Sequence, residues 1–80
     1  MMEEINVEKI MEIVNRNLEG TTITLKQREV ELEKFGLNSI SFVKMIVQIE
    51  DEFECMFPDS KLLLSEANTV NKILDILQML

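Results

Sequence analysis

The amino-acid sequence predicts an all-α fold. We expect an irregular four-helix bundle of three longer helices and one short helix, with a long loop between the first and second helices. Hydrophobic residues make up 46% of the chain, glycine and proline are scarce, and no long stretch alternates apolar and polar residues as a half-buried strand does. A length of 80 residues suits a single domain, which we place at residues 1–80.

The first helix is predicted from Glu3 to Leu18. Its apolar residues recur at helical spacing on one face, and they are Val7, Ile10, Met11, Val14 and Leu18, with Ile5 and Ile13 beside them. Gly20 marks the stop, because glycine readily takes the left-handed conformation that follows a helix end. Residues 21–38 are interpreted as a long connection. Its anchors to the core are expected to be Ile23, Leu25, Val30, Leu32 and Phe35.

The central helix is predicted from Ser39 to Glu54. Its apolar stripe is expected to comprise Ile40, Val43, Ile46, Val47 and Phe53, widened by Ile49. Ser39 then lies at the start of a helix, where unpaired N–H groups and the positive end of the helix dipole favour a phosphate ester. The alternative is that Asn38 or Ser39 does no more than cap the helix. Position alone does not decide between the two roles.

Two further elements are predicted after the central helix. Phe57-Pro58-Asp59 should break the helical run, because proline cannot continue it. A short helix is expected over residues 59–66, and it should carry Leu62, Leu63 and Leu64 toward the core. Thr69 is expected to cap a last helix from Val70 to about Met79. The apolar face of that helix comprises Val70, Ile73, Leu74, Ile76, Leu77 and Leu80.

The charge of the chain bears on its partners. Eight Lys and Arg residues against 15 Asp and Glu residues give a formal net charge of −7, which argues against nucleic acid and anionic membranes. An acidic surface attracts basic patches on other proteins, although acidity also simply keeps a small domain soluble. With no signal peptide and no apolar run long enough to span a bilayer, we expect a cytoplasmic protein, and a monomer.

Four acids end the exposed side of the central helix: Glu50, Asp51, Glu52 and Glu54. Acids at a helix C-terminus oppose the dipole, at about a few tenths of a kcal/mol each when exposed. A partner surface would explain why they are kept. Ordinary solvated helix residues are the other explanation.

No catalytic or metal site is predicted. The chain has no histidine, so a Ser-His-acid triad and a zinc site of the usual kind are ruled out. Cys55 is the single cysteine and has no evident base beside it, so a half-buried structural thiol is expected. The acidic run from Glu50 to Glu54 lacks the central glycine of a calcium loop. We expect a protein that holds a substrate and is not an enzyme.

This ordered set of residues resembles the phosphopantetheine-binding acyl carrier proteins and their peptidyl carrier relatives. The family signature places a glycine, two further residues and then the modified serine at the start of the second helix. It stands here as Gly36-Leu37-Asn38-Ser39. Matching positions downstream are Val43, Ile46, Ile49, Glu50-Asp51, Phe53, Pro58-Asp59, Thr69-Val70, Ile73 and Asp75. The resemblance covers roughly residues 5–80.

The resemblance implies that Ser39 receives a 4′-phosphopantetheine arm from coenzyme A, transferred by a separate phosphopantetheinyl transferase, with Gly36 and Asn38 as the flanking motif. The arm would hold an acyl, aminoacyl or peptidyl group as a thioester for the ligases, synthases and transferases of fatty acid, polyketide or nonribosomal peptide biosynthesis. The implied partner face, meeting basic surfaces, consists of Ile40, Ser41, Lys44, Val47, Glu50 and Asp51. The alternative function is an unmodified adaptor that keeps the carrier fold.

Three positions depart from the family pattern. Asn38 stands in place of the usual aspartate, which removes a negative charge beside Ser39 and bears on which transferase recognises the protein. Leu37 stands where peptidyl carriers often have a second glycine, and Lys44 stands where fatty-acid carriers are usually acidic. Together these departures indicate a dedicated carrier of a specialised pathway.

Overall fold

The architecture consists of helices joined by irregular segments. The computed structural model describes residues 7–80, and within this range the chain contains no β-strand. Three α-helices are present, α1 (Val7–Arg16), α2 (Ser39–Phe53) and α3 (Val70–Met79), with short 3₁₀ turns between them. Helix α1 packs against both α2 and α3. The predicted all-α fold class is therefore confirmed.

The helix boundaries agree with the sequence prediction at the starts of α2 and α3. Helix α2 ends at Phe53, because Glu54 takes a left-handed conformation with φ 53° and its N–H group donates to the carbonyl of Glu50. The helix has thus already ended before Phe57-Pro58-Asp59, and the prediction that this tripeptide breaks it is wrong.

The first helix differs from its prediction at its end. Helix α1 stops at Arg16, and the chain continues to Leu18 in tighter turns, in which the Asn17 N–H group donates to the Val14 carbonyl at 3.0 Å. Leu18 is nevertheless buried, as its apolar spacing predicted. The predicted start at Glu3 and the neighbouring Ile5 lie outside the described residues.

Residues 59–66 do not form the predicted short helix. They form two single 3₁₀ turns, Asp59–Lys61 and Leu64–Glu66, separated by Leu63 in an extended conformation. The expectation that three consecutive leucines face the core is wrong for two of them, since Leu62 and Leu63 are exposed and only Leu64 packs against the core. Three-residue turns are too short to build a continuous apolar face.

The core lies between the three helices. Its completely buried side chains come from all of them: Ile10 and Val14 of α1, Met45 and Ile49 of α2, and Val70 and Ile73 of α3. In the long connection, Ile23 and Leu32 are buried as predicted, and Val30 and Phe35 are half-buried. Leu25 is exposed, so its predicted role as an anchor is wrong.

Polar contacts fasten the long connection to the helices. The Asn15 side chain accepts a hydrogen bond from the Ile23 N–H group at 2.8 Å and so ties the connection to α1. Toward α3, the Arg28 guanidinium donates to the Asn71 side chain at 3.1 Å, and the Arg28 carbonyl accepts from the Asn71 N–H group at 3.0 Å. The segment that leads into α2 is therefore held on both sides.

Candidate functional site

Ser39 is the first residue of α2, and its side chain is exposed. The chain reaches it through a 3₁₀ turn, Leu32–Phe35, and the left-handed Gly36. The Leu37 N–H group donates to the Leu32 carbonyl at 3.1 Å, and the Leu37 side chain is buried. Ser39 is thus an exposed hydroxyl that follows a buried anchor by two residues.

Gly36 is required by the local backbone. Its φ of 103° lies in the left-handed region, which residues other than glycine rarely adopt. A Cβ atom at this position would also lie 3.2 Å from the backbone nitrogen of Glu19. The glycine three residues before Ser39 therefore sets the direction in which the chain enters α2.

Asn38 and Ser41 cap the start of α2 reciprocally. The Asn38 Oδ1 atom accepts from the N–H groups of Ile40 at 2.9 Å and Ser41 at 3.0 Å. In return, the Ser41 Oγ atom accepts from the Asn38 N–H group at 2.9 Å. This is a capping box with a serine at its third position.

The capping box changes the expected chemistry of the site. The sequence predicted unpaired N–H groups around Ser39, whereas the amides of Asn38, Ile40 and Ser41 are already satisfied by side chains. Among the amides of residues 38–41, only that of Ser39 makes no hydrogen bond to another residue in the range 7–80. The helix dipole and this single amide are what the site offers a phosphate. Since Asn38 does the capping, the Ser39 hydroxyl makes no hydrogen bond to another group of residues 7–80.

The predicted partner face is partly exposed. The side chains of Ile40 and Val47 are 71% and 56% exposed, and Lys44 and Asp51 are exposed as well. Ser41 is half-buried and belongs to the capping box. These residues do lie along one helix that starts at Ser39, although the cap already uses the hydroxyl of Ser41.

The predicted apolar stripe of α2 is confirmed at Ile46, Ile49 and the half-buried Phe53, but it is wrong at three other positions. Ile40, Val43 and Val47 are exposed, while the buried face consists of Phe42, Met45, Ile46 and Ile49. Apolar residues cover more than half of the helix circumference, so periodicity alone could not select the side that faces the core. The result is an exposed apolar strip directly downstream of Ser39.

Glu50 has a structural partner that the sequence did not indicate. Its Oε2 atom accepts a hydrogen bond from the Phe57 N–H group at 2.8 Å, and the side chain is half-buried. The residue therefore fastens the segment after α2 back onto the helix. Asp51, Glu52 and Glu54 are exposed.

Cys55 is half-buried and free. Burial, and then the negative charge of Glu50, raise the pKa of its thiol above its ordinary value of 9.0. The thiol therefore stays protonated at neutral pH and is a poor nucleophile.

A groove of about 280 Å³ runs along α2 on the side of the exposed apolar strip. Its lining residues on α2 are Phe42, Val43, Ile46, Val47 and Glu50, and those of the following segment are Met56, Phe57, Asp59 and Leu62. Val43 follows Ser39 by one helical turn, a rise of about 6 Å. The groove therefore begins within one turn of the exposed hydroxyl.

Residues 7–80 contain no group of three or more Cys, Asp or Glu side chains placed to hold a metal ion. No helix in this range is both long and apolar enough to cross a membrane.

Comparison with known proteins agrees with the geometry. A family model described as a phosphopantetheine attachment site matches residues 8–77, nearly the whole chain. The chain has no match among solved structures. The resemblance stated from the sequence is confirmed by the family match. The chain therefore belongs to the phosphopantetheine attachment family, whose members are carrier proteins, not enzymes, that hold 4′-phosphopantetheine covalently.

Proposed function

We propose that the protein carries acyl, aminoacyl or peptidyl intermediates as thioesters on a 4′-phosphopantetheine arm attached to Ser39. The observation that carries this proposal is an exposed, unshared serine hydroxyl at the first residue of α2, three residues after the left-handed Gly36. Asn38 caps the helix and leaves that hydroxyl accessible. The family match shows the cofactor, and the exposed position of the Ser39 hydroxyl supports it as the attachment point.

The residues around Ser39 suit a phosphodiester. Attachment would join the Ser39 oxygen to the phosphopantetheine phosphorus, break the pyrophosphate bond of coenzyme A and release adenosine 3′,5′-bisphosphate and a proton. The positive end of α2 then favours the negative charge that remains. In this proposal a separate transferase supplies the base that accepts the proton. Ser39 is thus a substrate of that enzyme.

The groove along α2 lies within reach of the proposed arm. About 14 covalent bonds separate the serine oxygen from the terminal sulfur, which corresponds to roughly 17 Å when extended. Glu50, at the far part of the groove, lies about 16 Å from Ser39 along the helix axis. A volume of about 280 Å³ is just below the range of about 300–1,000 Å³ that holds drug-sized ligands. The groove suits a short apolar cargo or part of a longer one.

The partner face proposed here is the exposed apolar strip of α2, Ile40, Val43 and Val47, flanked by Lys44 and Asp51. Exposed apolar side chains rimmed by charges are typical of protein–protein contact surfaces. The net charge of −7 favours transferases, ligases and synthases with basic surfaces. Glu50 is less available to a partner than its neighbours are, because its carboxylate accepts a hydrogen bond from the Phe57 N–H group.

Two of the three departures from the family pattern lie at accessible positions, whereas Leu37 is buried. Lys44 is exposed on the partner face, and Asn38 is exposed beside Ser39. A partner that docks here meets a cation and a neutral amide where fatty-acid carriers usually present acids. These positions support a dedicated carrier of a specialised biosynthetic pathway.

Attachment is tested by mass analysis. After incubation with coenzyme A, magnesium and a promiscuous phosphopantetheinyl transferase, the protein should gain the mass of one phosphopantetheine. Ser39→Ala should abolish the gain. Ser41→Ala is the matched control, since it removes the neighbouring hydroxyl of the same helix turn and should still permit the modification.

The contrary outcome favours the alternative of an unmodified adaptor. If several transferases add no mass, and the intact protein from its own host also lacks the arm, Ser39 is not an attachment site. The exposed apolar strip of α2 would then remain as a surface for protein–protein contact alone.

A further inference from the structure

Asn68 joins three segments of the chain although its side chain touches neither Ser39 nor the proposed groove. It is only 5% exposed and directly precedes Thr69, the cap of α3. Its carbonyl accepts a hydrogen bond from the Leu32 N–H group at 2.8 Å. Its side-chain amide donates to both carboxylate oxygens of Glu33, at 3.1 and 3.2 Å, and accepts from the Lys72 ammonium at 3.0 Å.

The two charged neighbours determine the orientation of the Asn68 amide. The amide nitrogen faces the Glu33 carboxylate and the amide oxygen faces the Lys72 ammonium, so one side chain must both donate and accept. Hydrogen bonds to charged groups are stronger than those between neutral groups. A carboxylate at position 68 would accept from Lys72 equally well, but it would repel Glu33.

The residues that Asn68 holds lead directly to Ser39. Leu32 and Glu33 begin the 3₁₀ turn Leu32–Phe35, and Leu32 is completely buried. The carbonyls of these two residues accept hydrogen bonds from Leu37 at 3.1 Å and Gly36 at 3.3 Å. The contacts thus run without a gap from α3 through the turn to the residue before the Asn38 cap.

We propose that Asn68 is a positioning residue for the modification of Ser39. By holding Glu33 and Leu32, it keeps the entry to α2 in the single conformation in which a transferase meets the hydroxyl. The inference rests on the proposed attachment at Ser39. When only a fraction of a protein has the conformation that binds its partner, the apparent affinity falls in proportion to that fraction. Loss of the contact between Asn68 and Glu33 should therefore raise KM and leave kcat nearly unchanged.

The test compares wild type with Asn68→Asp, a nearly isosteric change that sets two carboxylates against each other. With the transferase and coenzyme A, the KM for the carrier should rise by roughly tenfold, as expected for loss of a charged hydrogen bond, with kcat within about twofold. Amide hydrogen exchange at Gly36 and Leu37 should become faster. Glu33→Ala removes the same contact at an exposed residue and serves if Asn68→Asp does not fold.

Two further variants separate positioning from general loosening. Asn71→Ala is the matched control, because it removes the Arg28 side-chain bond that ties the same connection to the same helix farther from Ser39. Its KM should equal that of wild type. Asn68→Asp combined with Glu33→Gln exchanges the amide and the carboxylate, restores a donor opposite an acceptor, and should return KM to within about twofold of wild type.

Two results with the single variants would overturn the inference. One is an unchanged KM in Asn68→Asp and Glu33→Ala while exchange at Gly36 rises, and the other is an equal rise in KM for Asn71→Ala. Failure of the exchanged double variant to recover would also count against it. If the wild-type protein does not accept the phosphopantetheine arm, the proposed attachment at Ser39 is contradicted instead. Amide hydrogen exchange at Gly36 and Leu37 would still report whether Asn68 holds the turn.

Discussion

The two ends of α2 satisfy their backbone groups in different ways. At the start, Asn38 and Ser41 cap the helix reciprocally with neutral side chains, so the hydroxyl of Ser39 is not needed as a cap. At the end, Glu54 turns left-handed and Glu50 reaches back to the Phe57 amide. A side chain is free to be modified or to bind a partner where the fold does not already use it as a hydrogen-bond partner. Glu50, which the sequence placed on the partner face, is used by the fold in this way, whereas the exposed Ser39 hydroxyl is not.

The largest stability effect is expected at the far end of α2. Glu50→Ala should leave the half-buried Phe57 amide without its acceptor and lower the free energy of unfolding by about 1–3 kcal/mol. Glu50→Gln keeps an acceptor and should change it by less than about 0.5 kcal/mol. Urea unfolding of both variants measures the difference. Equal losses would mean that the charge, not the hydrogen bond, matters at this position.

At the start of α2, Asn38→Ala should lower the free energy of unfolding by about 1 kcal/mol, the usual cost of losing a cap. Asn38→Asp should be neutral or slightly stabilising, because a carboxylate also caps and complements the dipole. Thermal unfolding of the two variants gives the comparison. Thr69→Ala removes the side-chain oxygen that accepts from the Lys72 N–H group at the start of α3. It should lower the free energy of unfolding by a similar amount and provides a reference. A harmless Asn38→Ala would contradict the capping box.

Asp51 tests whether an exposed acid at the far end serves partners. Asp51→Lys should lower kcat/KM with the transferase by roughly threefold at low salt, less at high salt, and change stability by under about 0.5 kcal/mol. Glu29→Lys alters the net charge equally at an exposed position in the long connection. It should have a smaller effect. Equal effects of the two variants would mean that only the net charge matters and that the position of Asp51 on the partner face does not.

The smallest effect concerns Cys55, next to the far end. Because burial, and then Glu50, raise its pKa, the folded chain holds the thiol proton to higher pH than the unfolded chain does. This contribution to stability is fully present below the ordinary value of 9.0 and is lost as the pH rises from there toward the raised pKa. At a pH just below the raised pKa, alkylation of the Cys55 thiol should be slower in the native protein than in the urea-unfolded protein. Equal rates would contradict the shift.

Local signals account for what the sequence predicted well. Helices α2 and α3 begin at Ser39 and Val70 as expected, because Asn38 and Thr69 cap them through hydrogen bonds within three residues. Gly36 was recognised as part of a motif, and its left-handed backbone supplies the physical reason. Each of these features depends on residues close together in the sequence, so the residue types alone carry the information.

Contacts between distant residues account for what the sequence missed. The exposure of Leu62 and Leu63 and the bond from Glu50 to Phe57 depend on how the segment after α2 folds back. The part played by Asn68 depends on Glu33, which lies 35 residues away in the sequence. Neither periodicity nor a short motif encodes such pairings.

The sequence by itself determined the helical class, the starts of α2 and α3 and the candidate serine, because capping, glycine conformation and apolar period act over a few residues. Only the tertiary structure decided which face of α2 is buried. The apolar residues outnumber the positions that the core can take, and packing against α1 left Ile40, Val43 and Val47 outside. That choice placed an exposed apolar strip beside Ser39.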